Sequence, residues 1–232
     1  MIDVKSPSHS LHLSVCPRNG ANRIMYVNAC SRQLEVFNPL LGRVSVTQEQ
    51  RRRVIAGLNG RSQVEAFEAA KLVWKDSDVE LECPLIVALK NGRRPFNRSA
   101  AAYAMQVVGT TKVVAALERV VNNKSEHQRV RGDAAEALAH NHRRRSHDVL
   151  LKNLSDPNKH VRFWCAFALG QMAEQRAIPV LEQLASTDAR MIKGFHSVAK
   201  EAADALDNIK TELSGHRRRG GCIFCMDRPR RS

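Results

Sequence analysis

From residue 47 to residue 213, apolar side chains recur every three to four positions, the spacing that lines one face of an α-helix. Ser155 to Leu184 shows the unit most plainly. A turn at Asp156, Pro157 and Asn158 precedes a helix over about Val161 to Met172, and after a short break Pro179 opens a second helix. Other segments align beneath it without a gap: Arg98 to Met105, Arg131 to Leu138 and Arg162 to Leu169, with weaker copies at Glu65 to Leu72 and Ala199 to Leu206. The last positions, 72, 105, 138, 169 and 206, are spaced by 33, 33, 31 and 37 residues. A period of this length marks an array of helical hairpins, none of which can bury its apolar face alone. Partner helices precede the aligned ones at Pro84 to Leu89, Val113 to Val121, Asp148 to Leu154 and Ile178 to Leu184. A first pair is predicted from Thr47 through the Asn59-Gly60-Arg61 turn to Trp74.

Residues 1 to 46 have a different texture. Leu11, Leu13 and Val15 alternate with His12, Ser14 and Cys16, and Val44 and Val46 alternate again after Pro39 and Gly42, a period of two that suits strands. The readings are a small β addition, an irregular, poorly ordered arm, or a start upstream of the native one, with Met25 as a later start. The arm is the expectation adopted. Residues 214 to 232, SGHRRRGGCIFCMDRPRRS, form a basic tail expected to be disordered.

Composition sharpens the reading at three points. Only 5% of residues are aromatic against 43% hydrophobic, so alanine and leucine must do most of the packing. No run approaches a membrane span or a signal-peptide core, and six scattered cysteines suit reduced thiols, so the expected location is the cytoplasm. The net charge of +14 divides as +3 over residues 1 to 46, +6 over 47 to 213 and +5 over the tail, so over a third of the excess lies in nineteen residues.

With Asp156, Val161, Arg162, Ala166, Ala168, Leu169 and Gly170 in this order, the stretch resembles a HEAT repeat of the short, phycobilisome-lyase-like subtype. The resemblance implies an all-α fold: a right-handed α-solenoid of about five helical hairpins over 47 to 213, flanked by the arm and the tail. It also implies that the turn aspartate and the arginine opening the second helix form a hydrogen-bonded ladder. That gives Arg98, Arg131, Asp156 and Arg162 structural roles, although only the fourth hairpin carries both members.

Candidate chemistry is sparse. His140, His142, Arg143, Arg144, Arg145 and His147 crowd one inter-repeat loop, and Arg93, Arg94 and Arg129 recur near repeat boundaries; such residues hold phosphate oxygens or acidic partners, or are solvated loop charges. Cys222 and Cys225, with His216 nearby, supply fewer ligands than a zinc site needs, so no metal or other cofactor is assigned. The His-Glu dipeptides of the HEAT-built deoxyhypusine hydroxylases are absent, as are glycine-rich phosphate loops and a nucleophile elbow, and no catalytic residue is assigned. The expected function is a noncatalytic scaffold that binds a partner protein along its concave face through the second helix of each pair. The alternatives are a basic solenoid binding nucleic acid, and a lyase-type or DNA-repair-type enzyme on the same scaffold. The oligomeric state is left open.

Overall fold

The computed structural model describes residues 13–18, 21–26, 35–36, 48–75, 81–141 and 144–214. The chain divides into two units, one of residues 1–44 and 211–232 and the other of residues 45–210. In the first, β1 (Leu13–Arg18), β2 (Ala21–Tyr26) and β3 (Glu35–Val36) form an antiparallel sheet in the order β1-β2-β3. Leu13 stands opposite Tyr26 and Arg18 opposite Ala21, the register of a tight hairpin.

The second unit is helical. Its first hairpin is α1 (Gln48–Leu58) with α2 (Gln63–Lys75), and the second is α3 (Glu82–Asn91) with α4 (Pro95–Ala104). The third is α5 (Thr111–Asn122) with α6 (Gln128–Asn141), the fourth α7 (Arg144–Asn153) with α8 (Lys159–Gln171), and the fifth α9 (Ile178–Thr187) with α10 (Val198–Leu213). The second helices α2, α4, α6 and α8 pack side by side in one layer, and the first helices α1, α3, α5 and α7 in the other. This two-layer stack is the α-solenoid that the repeat period predicts.

Local signals set the helix ends. The Thr110 side chain accepts the Val113 N–H at 3.2 Å and Asn158 accepts the His160 N–H at 2.9 Å, each satisfying a donor that the first turn leaves open. Pro95 and Pro179 sit in the first turns of α4 and α9, where a missing N–H costs nothing. Between layers the alanines disappear from solvent: Ala100 to Ala102, Ala134, Ala135, Ala137, Ala166 and Ala168 are buried with Leu117, Leu138, Leu169 and Leu181. Small side chains let neighbouring second helices approach closely.

One alignment detail differs. Leu72, the last residue of the first aligned copy, is 45% exposed, while Val73 beside it is buried. The first copy therefore lies one residue out of register with the others, because the helix turns its apolar stripe toward α4 through Ala66, Ala70 and Val73.

The insertion before α10 is folded rather than looped out. Met191 bridges Ser197, Gly194 turns the chain at φ 84°, Ile192 is buried, and the Phe195 ring packs 5.3 Å from Trp164 and 5.6 Å from Phe163. α8 and α10 approach closely at Gly170, where an added Cβ would stand 2.7 Å from Ala205 Cα. Gly170→Ala is expected to lower stability by about 1–2 kcal/mol in urea unfolding, since backbone rather than a flexible side chain must give way. An unchanged midpoint would show that α10 shifts freely on α8.

Candidate functional site

Three arginines open second helices, and each reaches across a repeat boundary. Arg98 makes a bidentate pair with Glu126 (2.8 and 2.7 Å) and donates to the Gly92 carbonyl at 2.7 Å. Arg131, 3% exposed, donates to Asp156 at 2.6 Å, to Asn153 at 3.0 Å and to the Val121 carbonyl at 2.9 Å. Arg162 donates to Asp188 at 2.8 and 2.6 Å and to the Asp156 carbonyl. Each guanidinium thus ties its own turn to an acid of the next repeat. The acid is Glu126 in one rung and Asp188 in another, which is why pairing Asp with Arg inside one repeat finds only the fourth. Asn97, at the buried start of α4, plays the reverse part by donating to the Leu58 and Gly60 carbonyls at 2.8 and 3.0 Å.

Of the basic candidates, Arg129 and His140 stand at opposite ends of α6, roughly 16 Å apart along the axis. Arg129 lies over the Phe67 ring at 5.6 Å and 3.9 Å from Asp133, and the His140 ring stands edge-on to Trp74 at 6.3 Å. Arg93 and Arg94 are exposed at the turn before α4, Arg94 over the Phe96 ring. His147 pairs with Glu174, which Arg176 also holds at 2.9 Å. The Arg176 guanidinium and His147, against the opposing effect of burial, keep the Glu174 carboxyl at about 2. His147 thus joins α7 to the turn after α8. Arg144 and Arg145 lie at the start of α7. His142, Arg143, His216, Cys222 and Cys225 lie outside the described residues.

A denser cluster lies on the second helices. Asp133 and Glu136 follow Arg129 at four and seven residues along α6, with His140 at eleven, so all four share one stripe. Burial pushes the Asp133 carboxyl up to about 6, with Ser99 and Arg129 opposing. Burial and the neighbouring Asp133 charge push Glu136 up to about 8, with Gln106 opposing. Ser99 is fully buried and Gln106 only 5% exposed, and they oppose that rise by hydrogen-bonding Asp133 and Glu136 respectively. Aromatic rings form the adjoining wall: Trp74 stacks on Tyr103 at 4.9 Å, and Phe67 meets Tyr103 at 5.8 Å. On the other side α8 brings His160 and Trp164 so close to Gly132 that a Cβ there would stand 2.6 Å from either ring. Burial, with Arg129 adding to it, holds His160 down to about 4, hence neutral.

The alignment that defines the repeats also places the acids. Asp133 and Glu136 of α6 correspond to Glu201 and Asp204 of α10, and the same two positions on the intervening α8 are Trp164 and Phe167. The layer thus alternates an acid pair, an aromatic pair and an acid pair. Burial and the Asp204 charge raise Glu201 to about 7, and its carboxylate meets His196 at 2.8 Å. The sequence signal for this pattern is two charges set among buried alanines, in RGDAAEAL and again in AKEAADAL.

The fold and its rungs define an α-solenoid built of stacked hairpins. Residues 123–194, which span α6 to α9, match the family model for HEAT repeats, so this part of the chain carries HEAT repeats. The match is to HEAT repeats in general rather than to the short subtype. No curated protein matches the chain. HEAT repeats in general mediate protein interactions. No helix among the described residues is long and apolar enough to cross a membrane.

Proposed function

We propose that this protein is a noncatalytic scaffold that binds a partner protein on the layer of second helices. The observation that supports the reading is the stripe of half-buried aromatic and carboxylate groups on α2, α4 and α6. Burial disfavours the charged forms of Asp133 and Glu136, which Ser99, Arg129 and Gln106 offset only in part. A surface that sets such carboxyls beside aromatic rings is suited to recognition of a partner. The rungs through Arg98, Arg131 and Arg162 serve the stack, which leaves the stripe for recognition.

Capture of the full chain with its partners from native cells, followed by cross-link mapping, tests this. Cross-links are expected on α2, α4, α6, α8 and α10. Cross-links confined to α1, α3, α5 and α7, or a stoichiometric cofactor in the purified protein, would overturn it.

A further inference from the structure

The turns that lead from first to second helices are bonded to one another in a row. Arg94 of the second turn donates to the Arg61 carbonyl of the first, and Arg98 joins the Gly92 carbonyl of the second to Glu126 of the third. Lys124 of the third turn holds Asp156 of the fourth, and Arg162 joins the Asp156 carbonyl to Asp188 of the fifth. The row follows one edge of the stack, with successive turns one helix spacing, roughly 8–10 Å, apart. The rungs also sort its charges. The carboxylates Glu126, Asp156 and Asp188 have side chains no more than 12% exposed and are held by the rung arginines. The cations instead face solvent, at least one in every turn: Arg61, Arg93, Lys124, Lys159 and Lys193, with Arg94 and Arg190 beside them. With the three rung arginines, and with Glu65, which accepts the Arg61 and Ser62 N–H groups, the edge holds ten basic and four acidic residues, a net +6. Residues 47 to 213 as a whole carry +6, so the remainder of that span is neutral and its excess lies on this edge.

We propose that this edge binds the phosphodiester backbone of duplex nucleic acid without reading its bases. It is a different surface from the second-helix stripe, so the proposal does not rest on the scaffold reading. Arg61, Arg93, Lys159 and Lys193 make no side-chain hydrogen bond or ion pair among the described residues, which leaves them open to phosphate oxygens. Neighbouring charges stand about one Debye length apart, so they repel one another, and a polyanion laid along the row relieves that repulsion. An aligned excess also focuses the field where a scattered one would serve only solubility. From the first turn to the fifth is four helix spacings, roughly 32–40 Å, close to the roughly 34–36 Å of one duplex turn. Phe96 and Phe195, the rings nearest these turns, pack against the core, so the edge offers charge rather than the stacking platform that single strands use.

The test uses the full chain and fluorescein-labelled DNA duplexes of about 16 base pairs, long enough for the whole row, in two unrelated sequences. Both are expected to bind equally, with log affinity falling against log salt at a slope of about −4 or steeper. Arg61→Gln, Arg93→Gln, Lys159→Gln and Lys193→Gln combined should flatten that slope by about 3–4, because each removes one phosphate contact. Replacing four tail arginines, Arg217, Arg218, Arg219 and Arg228, with glutamine lowers the net charge equally and should flatten it by about 1 or less. The four edge side chains are exposed and unbonded, and circular dichroism with urea midpoints checks that both variants keep the fold. Equal flattening in the two variants would mean that net charge alone governs binding, and overturns the proposal. A slope that the edge variant leaves unchanged, or tighter binding of a single strand or of a polyglutamate peptide of equal charge, overturns it as well. The scaffold reading is judged separately, by whether partner cross-links fall on the second helices.

Discussion

Asp156→Ala is expected to destabilise the protein by about 3–5 kcal/mol, the largest effect of any single rung. Asp156 is 2% exposed and accepts hydrogen bonds from the Arg131 guanidinium, from Lys124 and from the Asn158 backbone N–H. Removing it leaves a buried arginine without a counter-charge, and that cost exceeds the value of the lost bonds. A typical domain has only about 5–15 kcal/mol to lose. Because a repeat array is held by nearest-neighbour interfaces, the loss falls on the boundary between the third and fourth hairpins. Urea unfolding followed by circular dichroism should show a lower midpoint and a shallower slope, as the two halves begin to melt separately. Arg131→Met combined with Asp156→Leu should recover part of the loss, since it removes both charges at once. A midpoint shift below about 1 kcal/mol in Asp156→Ala would mean that Lys124 or solvent compensates the arginine.

The same residue gives an acid signature. Burial raises the Asp156 carboxyl, but the hydrogen bonds from Arg131, Lys124 and the Asn158 N–H outweigh it and bring the group from 3.8 to about 2. A depressed carboxyl stabilises the fold above its unfolded value, and the contribution is lost as pH falls from about 3.8 through about 2. His160, held at about 4 against an ordinary 6.5, removes stability over an earlier window, between those two values, because only the unfolded chain takes up the proton there. Asp156→Ala should abolish the lower step and leave the upper one.

The repeat was legible because its determinants are local. Helical spacing, turn residues and the alanine pattern each recur every thirty-odd residues, and five hairpins follow from counting them. The rungs were half legible. Arg98, Arg131 and Arg162 align by sequence, but their acids sit at different distances along irregular turns, at Glu126, Asp156 and Asp188, and only packing pairs them. The register of α2 escaped because Leu72 and Val73 are both apolar and sequence alone does not say which faces α4. The basic residues drew notice by density in the chain, yet His140 and His147 point toward different neighbours, one to Trp74 on α2 and the other to Glu174 after α8. The acid pairs were overlooked because charges in a helix ordinarily face solvent. The burial on α6 arises from its packing between α4 and α8, and Gly132 marks the close approach of α8.

Glu136→Gln should make the protein more stable at neutral and alkaline pH, an unusual outcome for a half-buried polar position. The folded carboxyl is raised from 4.5 to about 8, so the native state holds a proton that the unfolded chain releases. The sign is opposite to that of Asp156: from about pH 4.5 to about 8 the stability of the natural protein falls as pH rises, by at most about 1.4 kcal/mol per pH unit, and it levels off above that range. Glutamine keeps the shape of the protonated acid and carries no charge. The variant is therefore expected to match the natural protein near pH 4.5 and to exceed it by about 2 kcal/mol at pH 8, after allowance for solvent screening of a half-buried group. Glu201, raised to about 7 by burial and by Asp204, preserves part of the alkaline slope in the variant, so the difference between the two curves is the quantity to read. Thermal or urea midpoints at half-unit pH intervals supply it. Parallel curves would show that Glu136 is solvated in the folded state. A diverging pair would show that the fold retains a carboxyl that is destabilising when charged, a cost carried by burial and by the neighbouring Asp133.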